Sequence, residues 1–595
     1  MEEEIHYIVK NLYGVDVRPV ITAAPKNIDA DYSCNVAMTL ARELHKSPME
    51  IASEIAKEYG DGVEIAPPGF LNFISSDDNF KEKLADFGGK FTKNISCGDI
   101  NEEYDGKTVI CEFSDPNPFK VLHVGHLYTS IVGDSISRML EFAGAKVVRA
   151  NFGGDVGLHV AKTLWAVLND DVALDDLTIE IIAEKYVKGT NAYEENEEAK
   201  KEIVRINKAI YEIALEGEYD SDDDENLEDG GAVEEDLLRE KLAKYYWKGR
   251  EISYKYFEDF YAKIGVKFDK YYPESTVAMR GLAEVKNGLK DGVYEESDGA
   301  IVYKGEKKDL HTRVFINNAG LPTYEAKDVG LIFTKWDDYK FDKSIVITGN
   351  DIIDYMKVVL SSVAEMKPEL TERTLHLTHG NVRLPGNEKM SSRKGNFIKA
   401  VDVLEAVRNE CQLEAGMRMK EKMERIRPDV TIDPDFSAMK VDRKVVMGAI
   451  KYAFLKYKVG GNIEFDVESS VSMTGNSGPY LQYSAVRAQK ILANMMKDGI
   501  TKAGDDEWVL DEHEKSMIKK VVEYPNILSE AVAELAPSKI CTYLYELAQE
   551  FSRFYENVKV AGSHFEYERG QIVLAYLKVM THGLNLLGIE VPEKM

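Results

Sequence analysis

Apolar positions along this chain change period several times, and the changes mark out its elements. Thr108 to Phe113 is a short apolar run rich in β-formers, as expected of a buried parallel strand. Ser114-Asp115-Pro116-Asn117-Pro118 cannot continue it, because two prolines remove donors and bias the residues before them away from helix. A 3.6-residue period follows, with Val132, Ile136, Met139, Leu140 and Ala143 on one stripe and Gly144 where a helix C′ residue belongs. Lys146 to Ala150 predicts a second strand, and Asn151 to Gly157 a turn into the next helix. From about 163 to 299 the pattern is helical and highly charged, with aromatic clusters at Lys244–Trp247 and Tyr254–Phe257 that suit core packing. Strand patterns return at Ala300–Tyr303 and Ser344–Gly349. Strands alternating with helices predict an α/β fold, a Rossmann-type parallel sheet whose ligand lies at the carboxyl ends of the strands.

On either side the pattern differs. Residues 1–105 read as a separate α+β domain, with helical spacing from Cys34 to Leu44, a helix start at Ser47-Pro48, and a turn plus strand at Pro67–Ile74. Residues 106–400 read as the α/β region with an insertion at about 163–299, 401–465 as a helical connection, and 466–595 as an all-α domain. In the last, Asn476 or Ser477 can cap a helix whose stripe is Leu481, Ala485, Ala488, Leu492 and Met495, and Leu544, Leu547, Ala548 and Phe551 line a later one.

Composition narrows the classes. At 595 residues the chain needs several cores. The start MEEEIHYIVKNLYG is acidic and soon polar, and no apolar run approaches the ~20 residues of a membrane span, so a cytoplasmic protein without membrane contact is expected. The five cysteines (Cys34, Cys97, Cys111, Cys411, Cys541) are scattered, which argues against a disulfide framework and against structural zinc. A net charge of −28 is unlike the basic balance usual for nucleic-acid binders, although part of it is local: no Lys or Arg occurs between Glu212 and Asp236. That block reads as a solvated loop.

Candidate chemistry sits at two places. His123-Val124-Gly125-His126 begins the helix after the first strand, where unpaired N–H groups and the helix dipole favour phosphate and where the missing Cβ of Gly125 lets a flat base approach. By themselves the four residues fit a nucleotide site and the blander alternative, a chance pair of histidines or half a metal site, about equally well. Far downstream, Pro385-Gly386 introduces Lys389-Met390-Ser391-Ser392-Arg393-Lys394-Gly395, a cationic loop able to close over polyphosphate.

Together, H-x-G-H after a first strand and K-M-S-S near the end of an α/β region resemble the two signatures of class I aminoacyl-tRNA synthetases. The surrounding words resemble arginyl-tRNA synthetases: Glu112-Phe113-Ser114-x-Pro116-Asn117, Lys120-x-x-His123, Gly154-Asp155-x-Gly157, Thr323-Tyr324-x-x-x-Asp328 and Gly475-Asn476-x-Gly478-Pro479-Tyr480-Leu481-Gln482-Tyr483. The resemblance implies ATP-dependent ligation of L-arginine to its tRNA, tRNA(Arg), through an arginyl-adenylate. It implies catalytic roles for His123, His126, Lys389 and Lys120, and ATP contacts from His123, Gly125, His126, Met390, Ser391 and Ser392. Glu112, Asn117, Tyr324 and Asp328 would bind arginine, and which acid meets the guanidinium is left open. Phe70 and Asn72 of the N-terminal domain, and Tyr483 and Arg487 of the helical domain, would contact tRNA. Magnesium is expected with ATP, held by phosphate and water and by no dedicated protein ligands, and the expected state is a monomer. Three departures stand out: Ser392 replaces the second signature lysine, Ile352 stands where the family presents a glutamine after Gly349, and Tyr483-Ser484-Ala485-Val486-Arg487 lacks the usual histidine. A small-molecule nucleotidyltransferase would share H-x-G-H without needing the helical domain, and a binding protein that has lost catalysis would not need both histidines and Lys389.

The acidic block yields a first prediction. Deleting Glu218 to Asp229 leaves thermal stability and aminoacylation almost unchanged, because solvated acidic sequence contributes neither core nor phosphate contact. A large loss of activity at matched melting temperature contradicts it.

Overall fold

A computed structural model describes the chain apart from residues 26–27, 29, 93–102, 218–233, 384–397, 427–439, 498 and 500–505. The Lys389 loop and the acidic block therefore lie outside the described residues. The chain divides into two compact units, one of Met1–Ile95, Arg487–Pro525 and Glu546–Val579, the other of Ser96–Val486, Asn526–Tyr545 and Met580–Met595.

In the first unit, strands β1 (Ile21–Ala23), β2 (Tyr32–Cys34), β3 (Val63–Ala66) and β4 (Phe70–Phe73) form an antiparallel sheet of order β1-β2-β4-β3. Helices Glu2–Tyr13, Val36–Leu44 and Pro48–Tyr59 cover it, burying Ile5, Val9, Leu40 and Ile51 against Leu71 and Phe73. The Ser47 start is a capping box completed by Glu50, with Pro48 at the first helical position. Helix Asp77–Thr92 meets helix Glu512–Val522 of the same unit through Lys515 Nζ, 2.7 Å from an Asp77 carboxylate oxygen.

The second unit holds a five-stranded, wholly parallel sheet of β5 (Thr108–Glu112), β6 (Lys146–Gly153), β7 (Lys270–Pro273), then β11 (Lys343–Gly349) and β12 (Thr374–His379), in the order β12-β11-β5-β6-β7. Between its halves lie β8 (Glu295–Ser297), β9 (Ala300–Tyr303) and β10 (Arg313–Ile316), a small antiparallel sheet. Further on, β13 (Val382–Arg383) pairs with β14 (Ile463–Glu464). The strands of the parallel sheet are apolar because helices cover it: Ile110, Ala150, Tyr272 and Val346 are buried against Val277, Val329, Ile332 and Val359.

Two expectations need correction. Asn151, Phe152 and Gly153 continue the second strand, because Asn151↔Tyr271 and Phe152↔Tyr272 pair with β7. The stretch 163–299 is not helical throughout: Lys270–Pro273 crosses it as an edge strand of the parallel sheet. Four residues reading KYYP in an aromatic-rich region carry no period of their own, so only pairing with β6 reveals the strand. In the helical region Ser477 is the cap, its hydroxyl accepting from Tyr480 N–H at 3.2 Å, while the Asn476 side chain accepts from Tyr452.

Candidate active site

After β5 the chain continues to β6 on one side, whereas β11 lies on the other side of β5. The crevice at the carboxyl ends of β5 and β11 is thus a topological switch point, where open parallel sheets bind ligands. The segment leaving β5 is tightly held. Ser114, Asp115 and Phe119 have φ of 75°, 47° and 65°, left-handed conformations that cost roughly 1–3 kcal/mol each for such residues. Fixed hydrogen bonds offset that strain: Ser114 Oγ with Tyr261 Oη (2.9 Å), Phe152 N–H to Asp115 Oδ1 (2.8 Å), Gly154 N–H to Asn117 Oδ1 (3.0 Å) and Phe119 N–H to Ser253 Oγ (3.0 Å).

The turn delivers His123 to the N-cap of helix Val124–Phe142. Gly125 N–H donates to His123 Nδ1 at 3.0 Å and His123 N–H donates to His126 Nδ1 at 3.2 Å, a capping box built from imidazoles, with ring centroids 3.8 Å apart. Burial, reinforced by the Lys120 charge, lowers His123 to about 4 and holds His126 well below the usual histidine range. Both rings are neutral at pH 7. Since each Nδ1 accepts, each proton sits on Nε2, which makes two N–H donors at a helix N-terminus. A Cβ on Gly125 would come within 2.8 Å of His123 Cε1, so the open face that sequence analysis gives to a base is occupied here by the His123 ring. Lys120 supplies a cation near these rings while its Nζ lies 4.8 Å from the Tyr186 ring centroid.

The candidate arginine residues gather around two lysines. Asn117 Oδ1 accepts from Gly154 N–H, a Cβ on Gly154 would come 3.1 Å from Glu274 Oε1, and Glu274 Oε2 pairs at 2.6 Å with Lys327, whose Nζ is 5.0 Å from the Tyr324 ring centroid. Tyr324 itself is largely exposed. Glu112 departs from expectation: its Oε2 lies 2.6 Å from Lys335 Nζ, and the two residues are 3% and 1% exposed. It already has a cation. Asp328 forms no ion pair among the described residues; Tyr355 donates its hydroxyl to Asp328 Oδ2, and burial, opposed by that bond, raises the acid to about 7. Neither Lys335 nor Tyr355 belonged to a motif. Lys335 has a faint signal, standing two turns after Asp328 on the same face of an otherwise apolar stretch.

Lys389, Met390, Ser391 and Ser392 lie outside the described residues, but the chain re-enters beside the histidines. Val124 N–H donates to Ile398 O (3.0 Å) and Ala400 N–H to Leu122 O (2.9 Å), with His123 bridged to Lys399. Of the tRNA candidates, Asn72 is buried in mid-strand with Oδ1 accepting from Ser33 Oγ at 2.9 Å, whereas Phe70 is half-buried. Tyr483 is exposed, and the ring against the Arg487 guanidinium is Tyr555, at 3.6 Å.

A parallel sheet whose strand order reverses at a histidine-capped helix, with the chain that follows the K-M-S-S sequence paired beside that cap at Ile398–Ala400, is the arrangement of a class I aminoacyl-tRNA synthetase. The model of the class I (R) tRNA synthetase catalytic domain matches residues 95–467, an arginyl-tRNA synthetase N-terminal domain matches 1–74, and a DALR anticodon-binding domain matches 481–595. The chain belongs to the arginyl-tRNA synthetase family. An arginine–tRNA ligase of Borrelia garinii subsp. bavariensis is 31% identical over 82% of this chain and 80% of its own, and one of Treponema denticola is 27% identical over 94% and 92%. The fold matches the arginyl-tRNA synthetases of Thermus thermophilus (TM-score 0.71, 22% identity, 100% and 99% covered) and Plasmodium falciparum (0.74, 20%, 100% and 98%).

The cap yields a second prediction. Gly125→Ala pushes the His123 ring off its cap and lowers kcat/KM for ATP by about 10²-fold, with arginine binding little changed. Normal ATP kinetics in that variant would contradict the assigned geometry.

Proposed function

We propose that the chain joins arginine to tRNA in two steps on one surface. The carboxylate of arginine attacks the α-phosphorus of ATP and pyrophosphate leaves; the terminal ribose hydroxyl of tRNA then attacks the mixed anhydride and AMP leaves. Catalysis of this kind rests on positioning and on donors facing the charge that develops on phosphate oxygens. The observation that carries the reading is the pair of neutral imidazoles capping the helix at the switch point, with Nε2–H donors where a nucleotide phosphate and ribose would lie. Lys120 and Lys389 supply the cations for pyrophosphate, and Met390, Ser391 and Ser392 contribute to ATP binding. Magnesium would arrive with ATP, held by phosphate oxygens and water.

In this reading arginine lies between the β5 turn and helix Tyr324–Tyr339. Asp328 receives the guanidinium, a planar group suited to carboxylate acceptors. Tyr324 and Asn117 add neutral hydrogen bonds, and Glu112, already paired, shapes the field. The anticodon is read by the helical region, with Tyr483 and the Arg487–Tyr555 pair as platforms, and Phe70 touches the tRNA body. The protein acts as a cytoplasmic monomer.

Two outcomes test this reading. Lys120→Ala and Lys389→Ala each lower turnover by about tenfold, and the double variant loses more than either, since the two cations share one field; full activity in both single variants contradicts the phosphate assignment. Asp328→Asn raises the KM for arginine far more than that for ATP, and citrulline, neutral but nearly isosteric, is rejected by roughly 10⁴-fold. Comparable charging with citrulline contradicts an acid-lined pocket.

A further inference from the structure

The carboxyl of Asp328 is held by a device that the reaction scheme does not use. Tyr355, on helix Ile353–Met366 just past the end of β11, donates its hydroxyl to Asp328 Oδ2. The face of its ring is covered by Arg313 of β10, whose guanidinium carbon is 5.2 Å from the centroid and whose Nη1 is 3.1 Å from Glu325 Oε1. A cation over the ring draws electron density from it and strengthens the phenol as a donor. Three elements thus converge on one acid: β10 through Arg313, the helix bearing Glu325 and Asp328, and the helix bearing Tyr355. Ile352, one turn earlier on the Tyr355 side, offers no hydrogen bond.

We propose that Tyr355 is a positioning residue of the arginine pocket, fixing Oδ2 of Asp328 so that Oδ1 is presented, ionised, to the substrate guanidinium. The proposal rests on the reading of Asp328 as the guanidinium acceptor. An acid this deep needs such help. Its neighbours Glu112, Glu274 and Asp115 disfavour its charge, Lys335 favours it but is itself paired with Glu112, and the Arg313–Glu325 pair is internally balanced. Burial and these acids push Asp328 up to about 7, while the Tyr355 hydrogen bond pulls it down. A guanidinium requires the ionised form, so kcat/KM for arginine rises with pH through that range. Removing the hydroxyl lifts the acid further and moves the rise to higher pH.

Tyr355→Phe deletes only the hydroxyl and keeps the ring under Arg313. Aminoacylation measured from pH 6 to 9 with that variant, the parent and Asp328→Asn separates the roles. The expected result is a KM for arginine raised about threefold at pH 7.5 and approaching tenfold toward pH 6, an unchanged KM for ATP, and an acid limb displaced upward by about one pH unit. Equal rises in both KM values, or an acid limb that stays in place, overturn the proposal. Asp328→Asn serves as reference: if it leaves the KM for arginine unchanged, the pocket reading itself fails; if it raises that KM while Tyr355→Phe does not, only the role of Tyr355 fails.

Discussion

The ion pair between Glu112 and Lys335 is the contact on which the site depends. Each ion loses several kcal/mol of hydration on burial, and removing one partner of such a pair costs about 3–5 kcal/mol, so the pair enforces its own geometry. Glu112 ends the middle strand β5, and Lys335 lies on helix Tyr324–Tyr339, its Nζ also donating to Ser344 Oγ of β11 at 3.1 Å. One ammonium therefore joins β5, β11 and the helix that covers them. Asp328 stands two turns before Lys335 on the same helical face, so the pair that locks the helix also aims Asp328 at the carboxyl ends of the strands.

The histidine cap works by the opposite logic. There the groups are neutral, made so by burial and by the charge of Lys120, and the helix dipole and two N–H donors supply what a fixed cation would otherwise supply. A charged imidazolium pair in so buried a place would repel itself. Neutral rings can stack at 3.8 Å and bond in series, which fixes both donors with no cost in charge repulsion.

This arrangement bears on the strongly acidic composition. Near the site, Lys327 and Lys335 are neutralised by Glu274 and Glu112, while Lys120, whose charge acts on the histidines, forms no ion pair among the described residues. Phosphate recognition is then a matter of a few placed donors and not of a broad positive field, which a net charge of −28 does not offer. Asp115 and Asp328 form no ion pair with lysine among the described residues, and burial holds both above the usual carboxylate range.

The sequence by itself determined the alternation of strand and helix, the break after β5, the helix starts at Ser47 and His123, and the two signatures, because each depends on interactions within a few residues: apolar period, proline geometry, caps. It also placed the Tyr324–Asp328 pair on one helical face, since that too is local. What only the tertiary structure decided joins residues far apart in the chain. Lys335 claims Glu112 across 223 positions, and Tyr355 claims Asp328 across 27. Lys270–Pro273 becomes a strand solely by pairing with β6, and Asn72 is withdrawn from solvent by Ser33 on a neighbouring strand. Charge compensation and sheet pairing carry no periodic trace, because their energy depends on which groups folding brings within about 3 Å, and spacing along the chain does not encode that distance.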